Sequence, residues 1–154
     1  MVTNNFQRIG AESNTKVGRD FESIASQFFG DQGISLGSNY RVPIGVGTKK
    51  KNRQFDLGSS KPPVLVECKS HRWTTGGNLP SAKITVWNEA MYYFHLAPSR
   101  YRKVLFVLRD FSQRRDMTLA EYYVRFYGHL IPAGVEILEY DEDSQAVRSV
   151  AMDR

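Results

Sequence analysis

Along this chain apolar residues recur at two spacings, and each change of spacing marks an element. In "TKVGRDFESIASQFFGDQG", from Thr15, residues Val17, Phe21, Ile24, Ala25 and Phe28 return every three or four positions. That lays one apolar stripe along a helix, which Gly30 and Gly33 end, with Glu22 near the stripe's edge. "NYRVPIGVG" has strand character, and Pro43 with its glycines places it at a sheet edge. A basic turn, "KKKNR", leads into a short strand around Gln54 to Leu57. "GSSKPP" then turns the chain into "VLVECKS", a strand rich in β-branched residues. "HRWTTGGNLPS" reads as a loop, and "SAKITVWNEAMYYFHLA" as a helix over residues 81–97 that Pro98 closes. "RKVLFVLRD" has the unbroken apolar run of a buried strand. "TLAEYYVRFYGHL" predicts a further helix, with Thr118 as N-cap and Glu121 at capping-box spacing. "GVEILEY" predicts a last strand. The order α-β-β-β-α-β-α-β predicts an α/β fold, a central mixed β-sheet flanked by helices. Residues 1–14 read as a flexible arm, 15–140 as one folded domain, and 141–154 as a polar tail.

Within "VLVECKS" the alternation raises a chemical question. Residues two apart in a strand share a face, so Glu67 and Lys69 project together while Val66, Cys68 and Ser70 face the other way. Cys68 there packs as a small hydrophobe. If the two strands pair as a hairpin around "GSSKPP", Asp56 comes close to Glu67. Two neighbouring carboxylates repel, and a cation between them removes the conflict. Hard oxygen ligands suit Mg²⁺, and the backbone carbonyl of Cys68 offers one more oxygen. Lys69 would stand beside the ion, able to orient or help deprotonate an attacking water. Glu22, from the first helix, could reach the same point as a ligand or as a holder of the ion's water.

Composition narrows the setting. The 154 residues are 41% hydrophobic and 24% charged, enough apolar material for one core without a disulfide staple. The single cysteine excludes an intrachain disulfide and a Cys-rich zinc site, and fits a reducing, cytoplasmic compartment. The N-terminal residues lack the apolar core of a signal peptide, and no apolar run is long enough to span a membrane. A net charge of +5 and a pI of about 9.4 favour polyanions as partners, although many basic proteins bind none. Walker-type loops, a G-x-S-x-G elbow and His pairs at metal spacing are all missing.

Lys49, Lys50, Lys51 and Arg53 form a dense positive run just before Asp56. Such a run is either a solvated turn or a set of phosphate contacts, and its nearness to Asp56 favours the contacts. Arg72, Trp73 and Lys83, in and after the glycine-bearing loop, could touch a nucleic-acid backbone or stack on a base. Core packing explains Trp73 equally well. His71 could assist proton transfer, but a plain loop histidine is the simpler reading. The aromatic helices "MYYFHL" and "EYYVRFY" suit a core or a subunit interface.

"GRDFE" (residues 18–22), "FD" (55–56) and "VECKS" (66–70), in this order, resemble the PD-(D/E)XK nuclease superfamily, the restriction-endonuclease-like fold. The resemblance covers residues 15–109, about two-thirds of the chain, and Phe55 stands where the family's Pro precedes the Asp. It implies an α-β-β-β-α-β core, here extended by a C-terminal helix and strand. It also implies divalent-metal ligands at Asp56 and Glu67, a catalytic Lys69, and Glu22 completing the site from the first helix. Asn88 and Tyr92 have the spacing of a polar pair that some members carry on the helix after the Lys. Residues 15–140 would then be a Mg²⁺-dependent DNA endonuclease domain, with Mn²⁺ as a substitute ion and a homodimer as a candidate assembly. The setting would be the cytoplasm of a prokaryote or a phage-infected cell. Two alternatives stand beside it: a nucleic-acid-binding module of the same fold that does not cut, and an unrelated α/β interaction protein in which Glu67 and Lys69 form an ion pair.

Overall fold

The computed structural model describes residues 11–150, with side chains from Gly18 onward. Helix α1 spans Ala11–Asp31, and β1 (Gly37–Ile44), β2 (Lys51–Ser60) and β3 (Pro63–Lys69) follow as a meander. Helix α2 (Ser81–Leu96) crosses to β4 (Arg102–Leu108). A two-stranded ribbon, β5 (Phe111–Ser112) with β6 (Met117–Thr118), leads into α3 (Leu119–Tyr127). Strands β7 (Val135–Tyr140) and β8 (Val147–Ser149) end the described chain.

Six strands form one mixed sheet in the order β1-β2-β3-β4-β7-β8. The β3–β4 and β4–β7 pairs are parallel and the others antiparallel. The protein is therefore α/β, with helices on both faces, as the element order predicts. Central strands alternate between two cores. Val64, Val66, Val104, Phe106 and Leu108 pack with Phe21, Ala25 and Phe29 of α1. Leu65, Leu105 and Val107 pack with Trp87, Phe94 and Tyr123 of α2 and α3. Burial on both sides explains why these strands read as continuous apolar runs.

Several expected features recur closely. β1 is an edge strand, α2 ends at Leu96, and Thr118 caps α3 in a full capping box with Glu121. Others differ. The arm expected over residues 1–14 lies outside the described residues up to residue 10, and residues 11–14 open α1. Strand β2 is ten residues long, so most of "GSSKPP" belongs to the hairpin strands and the turn itself sits at Lys61–Pro62. The described part of the expected tail, 141–150, forms a turn and the edge strand β8. Its polar composition follows from that edge position, where only part of each residue is covered. Among the described residues no helix is long and apolar enough to cross a membrane.

Candidate metal and phosphate site

The strand registers open a fork. β2 pairs with β3 only from Ser60↔Pro63 to Leu57↔Val66. Beyond that point β2 continues along β1 as far as Ile44↔Lys51, while β3 continues along β4 as far as Lys69↔Val107. Each strand stays paired on its outer side and the inner side gapes. Two irregularities coincide with the opening. Phe55 and Leu57 should share a face, yet Phe55 enters the α2-side core and Leu57 the α1-side core. Asn39, facing Asp56 across the β1–β2 ladder, has φ 55°, a left-handed conformation that Asn tolerates better than most residues. Gly58, just inside the closed end, leaves room for the Tyr40 ring, since a Cβ there would stand 2.5 Å from it.

Asp56 sits in the crotch of the fork. Its Oδ2 accepts the Cys68 N–H at 2.8 Å and replaces the missing ladder bond. A strand residue directs its N–H and C=O to the same neighbour, so the Cys68 carbonyl also faces the gap. The Cys68 thiol packs against the α1-side core, and burial, with the surrounding carboxylates, holds it protonated well above the usual range. Its backbone, not its sulfur, belongs to the site.

Glu67 is 1% exposed, on the strand face shared with Leu65. Burial first, and the adjacent Asp56 carboxylate second, push its pKa up to about 9, against the pull of Lys69 and Arg53. Asp56 and Glu67 lie within hydrogen-bonding reach of each other, close enough to share a proton or a cation. Glu22, on α1, is partly desolvated and feels Asp56, and both effects raise its pKa while Lys69 opposes them. It also forms one wall of a cleft of about 390 Å³ beside Ser26, Ser38 and Leu57. Lys69, half-buried at the end of β3, acts electrostatically on Glu22, Glu67 and Cys68 together. The fork thus gathers Glu22, Asp56, Glu67 and Lys69 into one electrostatic neighbourhood.

Among the described residues no three His, Cys, Asp or Glu side chains already surround one point as a metal cage. The donor set does fit Mg²⁺, which keeps several of its own waters and takes one or two carboxylates. Asp56, Glu67 and the Cys68 carbonyl supply hard oxygens, and the crowding of Asp56 against buried Glu67 is the conflict a divalent ion relieves. Glu22, on the α1 side, feels the Asp56 charge and so belongs to the same neighbourhood.

The basic residues divide. Lys49, Lys50 and Lys51 are exposed, and Lys50 Nζ donates to the Gly45 carbonyl at 2.9 Å. Lys83 is exposed on the first turn of α2. Arg53 is turned inward: its Nη2 donates to Glu67 Oε1 at 3.1 Å and its guanidinium lies 4.3 Å from the Tyr93 ring centroid. Arg72 bonds Glu142 at 2.6 Å and stands 3.7 Å from Asp110, tying the loop after β3 to the end of the sheet. Trp73 is core, its backbone and indole N–H groups both held by Asp110. Asn88 accepts the Tyr123 hydroxyl at 2.9 Å, and Tyr92 is exposed.

Two features escaped the sequence reading. Arg53 as the partner of Glu67 depends on the fork, although its place two residues before Phe55 does put it on the α2 side. His71 accepts the Trp87 indole N–H at its Nδ1, 2.9 Å away. Burial, with Lys69 and Lys83 nearby, lowers its pKa to about 4. No spacing in the sequence links residues 71 and 87. Compared with known proteins, the chain matches no family model, no curated protein and no solved structure.

Proposed function

We propose that this protein is a divalent-metal-dependent nuclease of the PD-(D/E)XK type that hydrolyses phosphodiester bonds in DNA. The observation that carries the reading is the fork itself: a buried Glu67 crowded against Asp56, with Lys69 and Glu22 alongside. Two carboxyls facing each other in a buried gap suit a shared cation, which relieves their repulsion. The run α1, β1 to β3, α2, β4 also follows the helix, meander, helix, strand order of that superfamily.

Bound at the fork, Mg²⁺ or Mn²⁺ would supply Lewis-acid charge to the scissile phosphate. Asp56 and Glu67 would hold it, with Glu67 giving up its proton on binding. Lys69 would orient the attacking water and offset charge gained at the phosphate oxygens. Glu22 would fix a water from the α1 side. In-line attack with departure of the 3′-oxygen leaves 5′-phosphate ends. Lys49, Lys50, Lys51 and Lys83, exposed around the opening, would engage neighbouring phosphates. A second copy cutting the opposite strand, and a cytoplasmic setting in a prokaryote or a phage-infected cell, belong to the same proposal.

The test is a panel of labelled linear, nicked, single-stranded and four-way DNA substrates with Mg²⁺ or Mn²⁺. Cleavage of any of them, lost with EDTA and in Asp56→Ala and Lys69→Ala, supports the proposal. Binding without cleavage under every condition points instead to a silent nucleic-acid-binding module.

A further inference from the structure

We propose that Arg53 sets the ion preference of the fork: its hydrogen bond to Glu67 Oε1 weakens and orients that oxygen against two-oxygen coordination, which favours Mg²⁺ and Mn²⁺ over Ca²⁺. The inference rests on the fork holding a divalent ion, and it assigns a task that metal ligation alone leaves open.

The geometry is specific. Glu67 is buried, so its carboxylate cannot swing into solvent to change partners. One of its oxygens accepts Arg53 Nη2 at 3.1 Å, and the side turned to Asp56 is where an ion would enter. Arg53 is itself held. Its guanidinium lies 4.3 Å from the Tyr93 ring centroid and 5.8 Å from that of Phe55. Phe55 in turn stacks on Phe94 of α2, with centroids 5.8 Å apart. The Arg53 Nε is buried with no hydrogen-bond partner, so the contact to Glu67 and the ring beneath fix the orientation of the group. A guanidinium clamped this way is a rigid donor, not a mobile surface charge.

Ion size makes the clamp matter. Mg²⁺ demands near-octahedral geometry with short bonds and keeps waters. Ca²⁺ takes six to eight oxygens and readily accepts a carboxylate through both of them. A Glu67 free to offer two oxygens suits the larger ion, and one with an oxygen already engaged suits the smaller. Groups behind a metal ligand commonly shift affinity by about 10- to 100-fold.

The experiment titrates MgCl₂ and CaCl₂ calorimetrically into the whole protein, without nucleic acid, for wild type, Arg53→Met and Tyr93→Leu. The ratio of Ca²⁺ to Mg²⁺ affinity is the readout, because both ions carry the same charge and loss of the arginine's charge cancels from it. The ratio is expected to rise on the order of tenfold in Arg53→Met. A smaller rise is expected in Tyr93→Leu, which keeps the arginine and loosens its seat, so the result survives if Arg53→Met fails to fold. An unchanged ratio in the folded variants overturns the proposal, as does a wild type that binds neither ion. Weaker DNA binding in EDTA with an unchanged ratio would make Arg53 a phosphate contact instead. Ion binding with the expected selectivity but no cleavage of any DNA would sink the nuclease reading while leaving this inference standing.

Discussion

Among the described residues two glutamates are almost wholly buried, and they are buried in opposite ways. Glu139, on β7, is 1% exposed and surrounded by donors. The Thr118 hydroxyl donates to its Oε2 at 2.6 Å, Arg148 Nε donates to its Oε1 at 2.7 Å, and Arg109 stands 4.0 Å away. Glu67 is buried to the same degree, yet it has one arginine at 3.1 Å and a second carboxylate on its other side. The first arrangement compensates its charge and joins α3 to the β7–β8 edge. The second leaves an electrostatic conflict in the middle of the molecule, which protonation relieves in the free protein and a divalent ion would relieve in the loaded one. Burial is the same for the two acids; what differs is whether donors compensate the charge.

The largest expected effect separates the two regions by activity. Asp56→Ala and Lys69→Ala should lower Mg²⁺-dependent cleavage by about 10³-fold, roughly 4 kcal/mol of barrier, with the melting temperature of Lys69→Ala near wild type. Glu139→Ala should do the reverse. It leaves Arg148 and the Thr118 hydroxyl without their acceptor and should cost about 3 kcal/mol in urea unfolding. Per folded molecule, it should cut at the wild-type rate. Cleavage that tracks unfolding in both sets of variants would erase the distinction.

The next effect concerns pH. The Glu67 pKa rises from 4.5 to about 9 on folding, so folding favours its protonated form. Its contribution is fully present below pH 4.5 and is lost as pH rises through the folded value near 9. Glu67→Gln mimics the protonated state, so it should stabilise the metal-free protein by about 2 kcal/mol at pH 8 and have almost no effect at pH 4. Urea unfolding at the two pH values checks the sign. The conservative change Glu139→Gln should destabilise at pH 8, and the opposite signs sharpen the contrast between the two acids.

A smaller effect falls on His71. Its pKa drops from 6.5 to about 4 on folding, so the stability it contributes is present above pH 6.5 and is lost as pH falls towards 4. His71→Gln keeps a polar group beside the Trp87 indole and should flatten acid destabilisation between those limits by about 1 kcal/mol. A variant with the same acid-unfolding profile as wild type would contradict that assignment.

The elements were legible in the sequence where local chemistry decides them. The alternation of "VLVECKS" put Glu67 and Lys69 on one face, Thr118 and Glu121 announced the start of α3, and Pro43 marked β1 as an edge. The nearness of Asp56 to Glu67 was legible too, because a hairpin has few registers. What stayed hidden depends on departures from regularity or on distant pairing. The reversal of facing between Phe55 and Leu57, and Asn39 in its left-handed conformation, have no periodic signature. They coincide with the opening of the fork, where Arg53 meets Glu67. The partners of Glu139 come from the start of α3, from β8 and from just past the end of β4, and no spacing in the chain joins them. β8 is three residues long with a polar composition, too short for alternation to show.

The most direct measurement is carboxyl-carbon NMR of Glu67 across pH, with and without saturating Mg²⁺. The account predicts titration near pH 9 in the free protein, and a fully ionised Glu67 at neutral pH once the ion is bound. A Glu67 signal that titrates near 4.5 in the free protein, or that ignores Mg²⁺ altogether, would contradict it.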